Sequence, residues 1–219
     1  MIMELPKNNG VKNLKNGAYI EDGILKIRNM TSFKSIVYDL TFQLKGGKHQ
    51  CNYCKKSIYH NKVTMDHIYP QYMGGPTITN NLIPVCENCN RTKSNMTYRE
   101  YNKYLKLKEK NSNEKEYLKK LNVKKEEMQR KHKYQIPKGW IYEEEISKIL
   151  LEVRLEDSTR TSKYRKVAEF YKEYGYFQKP IVIDKNGFLL DGFYTVFYAK
   201  LHAISTLPVI KLENVELIF

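Results

Sequence analysis

Residues 65–95 read MDHIYPQYMGGPTITNNLIPVCENCNRTKSN and gather side chains that could break a phosphodiester bond. Asp66 and His67 are adjacent, Asn81 follows a Gly-Gly loop, and Asn90, Arg91 and Lys93 follow a Cys-x-x-Cys. A histidine can take the proton of an attacking water. Carboxylate and amide oxygens are hard ligands that suit Mg²⁺, an ion that keeps several waters and binds phosphate. Arg91 and Lys93 are expected to hold the scissile and flanking phosphates. Read singly, each has a plainer role: Asp66-His67 ending a strand, Asn90 and Lys93 facing solvent on a helix, Asn81 purely structural.

The four cysteines form two pairs, Cys51/Cys54 and Cys86/Cys89, spaced C-x2-C-x31-C-x2-C. Each pair can present two thiolates to one ion, and two pairs complete a tetrahedron around structural zinc. Disulfides fit poorly in a chain read as unexported, and a redox Cys-x-x-Cys normally occurs once, near a βαβ unit. A zinc closed by four cysteines leaves no open position for substrate, so chemistry must use other residues.

Several elements must position this set. KVTMD alternates weakly and reads as a short strand, Gly74-Gly75-Pro76 forces a loop, NLIPV reads as the returning strand, and residues 87–96 read as a helix starting at the second cysteine pair. Upstream, AYIEDGILKI reads as a hairpin turning at Asp22-Gly23. A helix follows, with Phe33, Ile36, Val37, Leu40 and Leu44 on one face, Thr31 or Ser32 as its cap and Gly46-Gly47 as its stop. Residues 97–135 are rich in Lys, Glu and Tyr and predict helices broken near Ser112-Asn113, with Glu116 placed for a capping interaction. Their apolar face (Tyr117, Leu118, Leu121) is thin, which suits a solvated connector. Beyond about 141 the chain alternates helix and strand: KYRKVAEFYKEYG, PIVID, a KNG turn, FLLDG, a buried FYTVFYAKLHAI and a closing LPVIKL. The expected class is α+β, with a domain at 1–100, a basic helical connector at 101–140 and a second domain at 141–219.

Charge divides the chain in the same way. The net formal charge is +14, yet residues 141–219 carry 11 basic and 12 acidic side chains, so the excess lies in residues 1–140. A polyanion such as nucleic acid is the simplest partner, and a solvated basic surface is the plainer alternative. No apolar run approaches the roughly 20 residues of a membrane span. The first residues, MIMELPKNNG, do not read as a secretory signal, so the expected compartment is the cytoplasm.

DHIYPQYMGG, NNL and CENCNRTKSN together resemble the HNH, or ββα-metal, nuclease family over about residues 48–96. The resemblance implies His67 as general base, Asp66 and Asn90 as ligands of a catalytic Mg²⁺ or Mn²⁺, and Asn81 as the residue that pins the inter-strand loop. It implies DNA, double-stranded, as substrate, with 5′-phosphate and 3′-hydroxyl products. His49 and His60 read as surface or phosphate-facing residues, and Tyr53, Tyr69 and Tyr72 as packing. Residues 141–219 resemble the ParB/sulfiredoxin-like fold through the Pro-Ile-Val-Ile strand, the Leu-Asp-Gly turn and the closing Pro-Val-Ile strand. Thr195 stands where that family's turn carries Arg, so a partner-binding, dimerising or positioning module is expected before a nucleotide site. Two other functions compete: a zinc-stapled module that grips nucleic acid without cutting, and a nuclease governed by nucleotide binding in the C-terminal part.

Overall fold

The computed structural model describes residues 5, 14, 17–28, 33–47, 49–59, 62–110, 112–131, 136, 139–150 and 161–218. The expected cap at Thr31 or Ser32, His60 and parts of 132–138 lie outside these residues. Strands β1 (Ala18–Glu21) and β2 (Ile24–Ile27) form the expected hairpin. Asp22 and Gly23 both take positive φ (50° and 74°), the backbone of a two-residue turn that matches strand twist. Helix α1 (Phe33–Leu44) buries Phe33, Ile36, Val37 and Leu40, as its 3.6-residue spacing requires.

Strands β3 (Val63–His67) and β4 (Leu82–Cys86) pair antiparallel, with His67 opposite Leu82 and Asp66 opposite Ile83. Helix α2 (Glu87–Lys93) starts at Cys86, whose sulfur accepts the backbone N–H of Cys89. Helix α3 (Tyr98–Glu109) begins with a reciprocal cap between Thr97 and Glu100, a signal that sequence reading passed over. Helix α4 (Glu114–Lys131) returns along it. Tyr101 and Leu121 are buried against Cys51, Tyr53, Val85 and Cys89, so this helical hairpin covers the cysteine core rather than standing solvated. Glu116 pairs with Lys120.

The C-terminal sheet runs β5-β8-β6-β7, from β5 (Tyr142–Glu145), β6 (Ile181–Asp184), β7 (Leu189–Asp191) and β8 (Thr206–Leu212), with β6 and β8 parallel. Helices α5 (Ser162–Tyr174) and α6 (Phe193–Leu201) pack on each other, with α6 against β6. LPVIKL is not the last strand: β9 (Val215–Leu217) follows and pairs in parallel with β2. One core thereby joins Leu25, Ile27, Ile36 and Leu40 to Val182, Leu190, Ile210 and Leu217. The N-terminal hairpin thus shares a sheet with the far end of the chain, and α1 joins them in one core. The class is α+β, as expected. No described helix is long and apolar enough to cross a membrane.

Candidate active site and candidate metal centre

The sulfur atoms of Cys51, Cys54, Cys86 and Cys89 all lie within 4.8 Å of one another, and Cys54 and Cys86 are 3.9 Å apart. A tetrahedral zinc with bonds of ~2.3 Å separates its sulfurs by about 3.8 Å, so this donor set fits zinc. All four are free thiols, which removes the disulfide reading. The first knuckle is tied to β4 by Asn52, whose backbone and side-chain N–H groups both donate to the Pro84 carbonyl. β4, the start of α2 and the knuckle at 51–54 therefore build a candidate structural metal site.

Asn81 holds the loop between β3 and β4 closed. Its Oδ1 accepts from Tyr69 N–H at 2.8 Å, and its Nδ2 donates to the carbonyls of Pro76 (2.8 Å) and Tyr69 (3.1 Å). Gly75 allows that loop to pass itself, because a Cβ there would sit 2.0 Å from the Tyr69 carbonyl oxygen.

His67 ends β3 and is 8% exposed. Its Nε2 lies 3.0 Å from Thr77 Oγ1, which also accepts from Gln71 Nε2 at 3.1 Å. Tyr38 of α1 meets the imidazole edge-on, with ring centroids 6.4 Å apart. Burial, then Lys34, Lys93 and Lys179, push the His67 pKa down to about 3, while Asp191 opposes them. The ring is neutral at physiological pH, the form a general base requires.

Asp66 and Lys93 depart from expectation. Asp66 is 4% exposed and accepts from Tyr53 Oη at 2.6 Å and from Lys93 Nζ at 2.9 Å. Lys93, expected to meet a phosphate, is 1% exposed and donates its second bond to the His67 carbonyl at 2.8 Å. The reason is helical geometry: Lys93 lies on the face of α2 that packs over β3, where a buried carboxylate needs a counter-charge. Burial raises the carboxyl pKa of Asp66 and lowers the ammonium pKa of Lys93, and each partner counters the shift of the other. Both Asp66 oxygens are thus taken by protonated donors. As folded, the expected Asp66–Asn90 pair does not fit a divalent ion.

Asn90 donates from Nδ2 to Thr64 Oγ1 at 3.1 Å. Both line a cavity of about 510 Å³ along β3, whose opposite wall is α1 with Ser35, Tyr38, Asp39 and Phe42. Arg91 remains on the surface, paired with Glu87 at 2.8 Å. His49 is exposed beside Phe42. Sequence reading missed Thr77, Gln71, Thr64 and Tyr38; single hydroxyl, amide and phenol groups outside a signature carry no local signal. Tyr53, read as packing, also hydrogen-bonds Asp66.

Residues 51–106 match a family model described as HNH endonuclease. No curated protein matches the chain. Among solved structures, one similar chain is a Pnob8-like ParB-N domain, 15% identical, with a TM-score of 0.28. That match covers 32% of this chain and 28% of the other, so this chain spans under a third of that protein's length. Residues 51–106 are therefore similar to HNH endonucleases, and the rest of the α+β chain lies outside that match.

Proposed function

We propose that the protein is an endonuclease that hydrolyses phosphodiester bonds of double-stranded DNA, with His67 as the general base. The observation that carries this reading is the state of the His67 ring. Nε2 is held by Thr77, and among the described residues no group hydrogen-bonds Nδ1. In the tautomer whose Nε2–H donates to Thr77, the neutral imidazole offers the Nδ1 lone pair to a water. That water attacks phosphorus in line, the bond to the 3′ oxygen breaks, and the products carry 5′-phosphate and 3′-hydroxyl ends. Asn81 orients the base by fixing the loop that carries Thr77 and Gln71. Zinc at the four cysteines anchors α2 to β4 and takes no part in the reaction. Asn90, at the cavity wall, and Arg91, on the exposed face of α2, are assigned to the substrate side. The C-terminal module is assigned a positioning or partner role, through a second copy or another protein. Its Thr195 is buried at the base of α6, where a nucleotide-binding arginine would have to emerge.

Two observations favour the gripping-without-cutting reading: Asp66 is locked to Lys93, and His67 is nine-tenths buried. The experiment that separates the two is incubation of supercoiled plasmid with purified protein in Mg²⁺ or Mn²⁺, beside EDTA and His67→Ala arms. Nicking or linearisation that the variant loses supports the nuclease. Intact plasmid that nonetheless shifts on a gel with both proteins sinks it in favour of the binding module. Cutting that survives EDTA would show that the locked Asp66 is the working state.

A further inference from the structure

His67 does not face only its own family segment. Tyr38 and Lys34 lie one turn apart on α1, with Lys34 Nζ 5.3 Å from the Tyr38 ring centre and Tyr38 edge-on to His67. From the other end of the chain, α1 packs against β7, whose last residue is Asp191. Asp191 pairs with Lys179, in the loop before β6, at 3.2 Å, and both groups are more than a third exposed. Lys179 and Asp191 act electrostatically on both His67 and Tyr38, so this pair and the imidazole share one neighbourhood.

The charges there are unequally compensated. Lys93 is consumed by buried Asp66, and Lys179 is paired directly with Asp191 at the partly exposed surface. Among the described residues Lys34 has no carboxylate partner. A neutral base flanked by one ammonium without a carboxylate partner among the described residues and one exchangeable ammonium suits a polyanion. We propose that Lys34 of α1 and Lys179 of the C-terminal module form a phosphate clamp at the mouth of the His67 site. In this arrangement Asp191 holds Lys179 until a nucleic-acid phosphate replaces it. The nuclease site is then completed by residues from both ends of the chain, outside the matched segment 51–106. The C-terminal module contacts substrate directly. This inference rests on the nucleic-acid reading above and goes beyond it by naming the groups that hold the backbone.

The carboxylate gives the test its direction. Binding of a labelled DNA duplex to the full chain is followed by fluorescence anisotropy in EDTA over a range of salt concentrations, for wild type, Lys34→Ala, Lys179→Ala and Asp191→Asn. Each lysine variant is expected to weaken binding and to lower the magnitude of the slope of log K against log salt by about 0.9, the loss of one phosphate contact. Asp191→Asn is expected to tighten binding, and to have no effect in the Lys179→Ala background. A clamp is ruled out if both lysine slopes equal wild type. It is equally ruled out if Asp191→Asn weakens binding as the lysine variants do, because Asp191 and Lys179 would then merely brace the fold. The plasmid assay keeps the two readings apart. Cutting by wild type with unchanged slopes removes the clamp and leaves the nuclease, whereas lowered slopes with no cutting remove the nuclease and leave the clamp.

Discussion

Replacing Lys93 with Met removes an ammonium that is 1% exposed and leaves Asp66, 4% exposed, with the Tyr53 hydroxyl and the His67 backbone N–H but no counter-charge. Met fills much the same volume, so the cost is electrostatic. Breaking a buried pair by removing one member costs about 3–5 kcal/mol, against ~0–1 kcal/mol for a surface pair. With a urea slope near ~2 kcal/mol/M, about 4 kcal/mol is a midpoint shift of about 2 M at pH 7. The sign of the pH dependence follows from Asp66. Burial already raises its pKa in the fold, and loss of Lys93 removes a group that lowers it. In the variant the folded state therefore binds the Asp66 proton more tightly than the unfolded state does, and the penalty is present at neutral pH. It fades as pH falls towards the unfolded carboxyl value of ~3.9. Urea unfolding at pH 7 and at pH 4 should show the gap to wild type closing. Adding Asp66→Asn should recover at least half of the loss at pH 7, since the uncompensated charge is gone. A loss below ~1 kcal/mol, or one of the same size at both pH values, would refute the buried pair.

The purified chain should carry one zinc per molecule by elemental analysis. Cys89→Ser or strong chelation should lower its melting temperature, because Cys51 and Cys89 sit in the same core as Tyr101 and Leu121 of the helical hairpin; a metal-free chain of unchanged stability would contradict this. Asn81→Ala should abolish cutting while circular dichroism stays near native, since the three bonds it loses close one loop; retention of activity would show that the loop does not orient His67. His67 is held neutral in the fold, with its pKa pushed down to about 3, so its contribution is present above the unfolded value of ~6.5 and is lost as pH falls towards 3. From that shift, wild type should lose roughly 2 kcal/mol between neutral pH and pH 5, at 1.36 kcal/mol per unit, and His67→Gln should lose less over the same range; parallel pH curves for the two proteins would sink this assignment.

Local pattern alone determined much of this protein. Paired thiols two residues apart can meet one ion whatever surrounds them, so the cysteine spacing specified a tetrahedral donor set. Asp22-Gly23 specified the hairpin turn, and the spacing of Phe33, Ile36, Val37 and Leu40 specified the buried face of α1, because turn type and helical period are properties of neighbouring residues. The loop role of Asn81 was legible through its signature, since its partners lie within a dozen residues. Long-range pairing decided the rest. Nothing in ILKI or VEL names the other as its strand partner, so the shared sheet of β2 and β9 emerged only from the fold. The same holds for Lys93: solvent and Asp66 are equally open to a helical lysine until α2 is laid over β3. Which face of a helix is buried, and which charge must then be neutralised there, depends on what packs against it; the basic and acidic residues that surround His67 come from positions 34, 93, 179 and 191, which only the tertiary structure brings together.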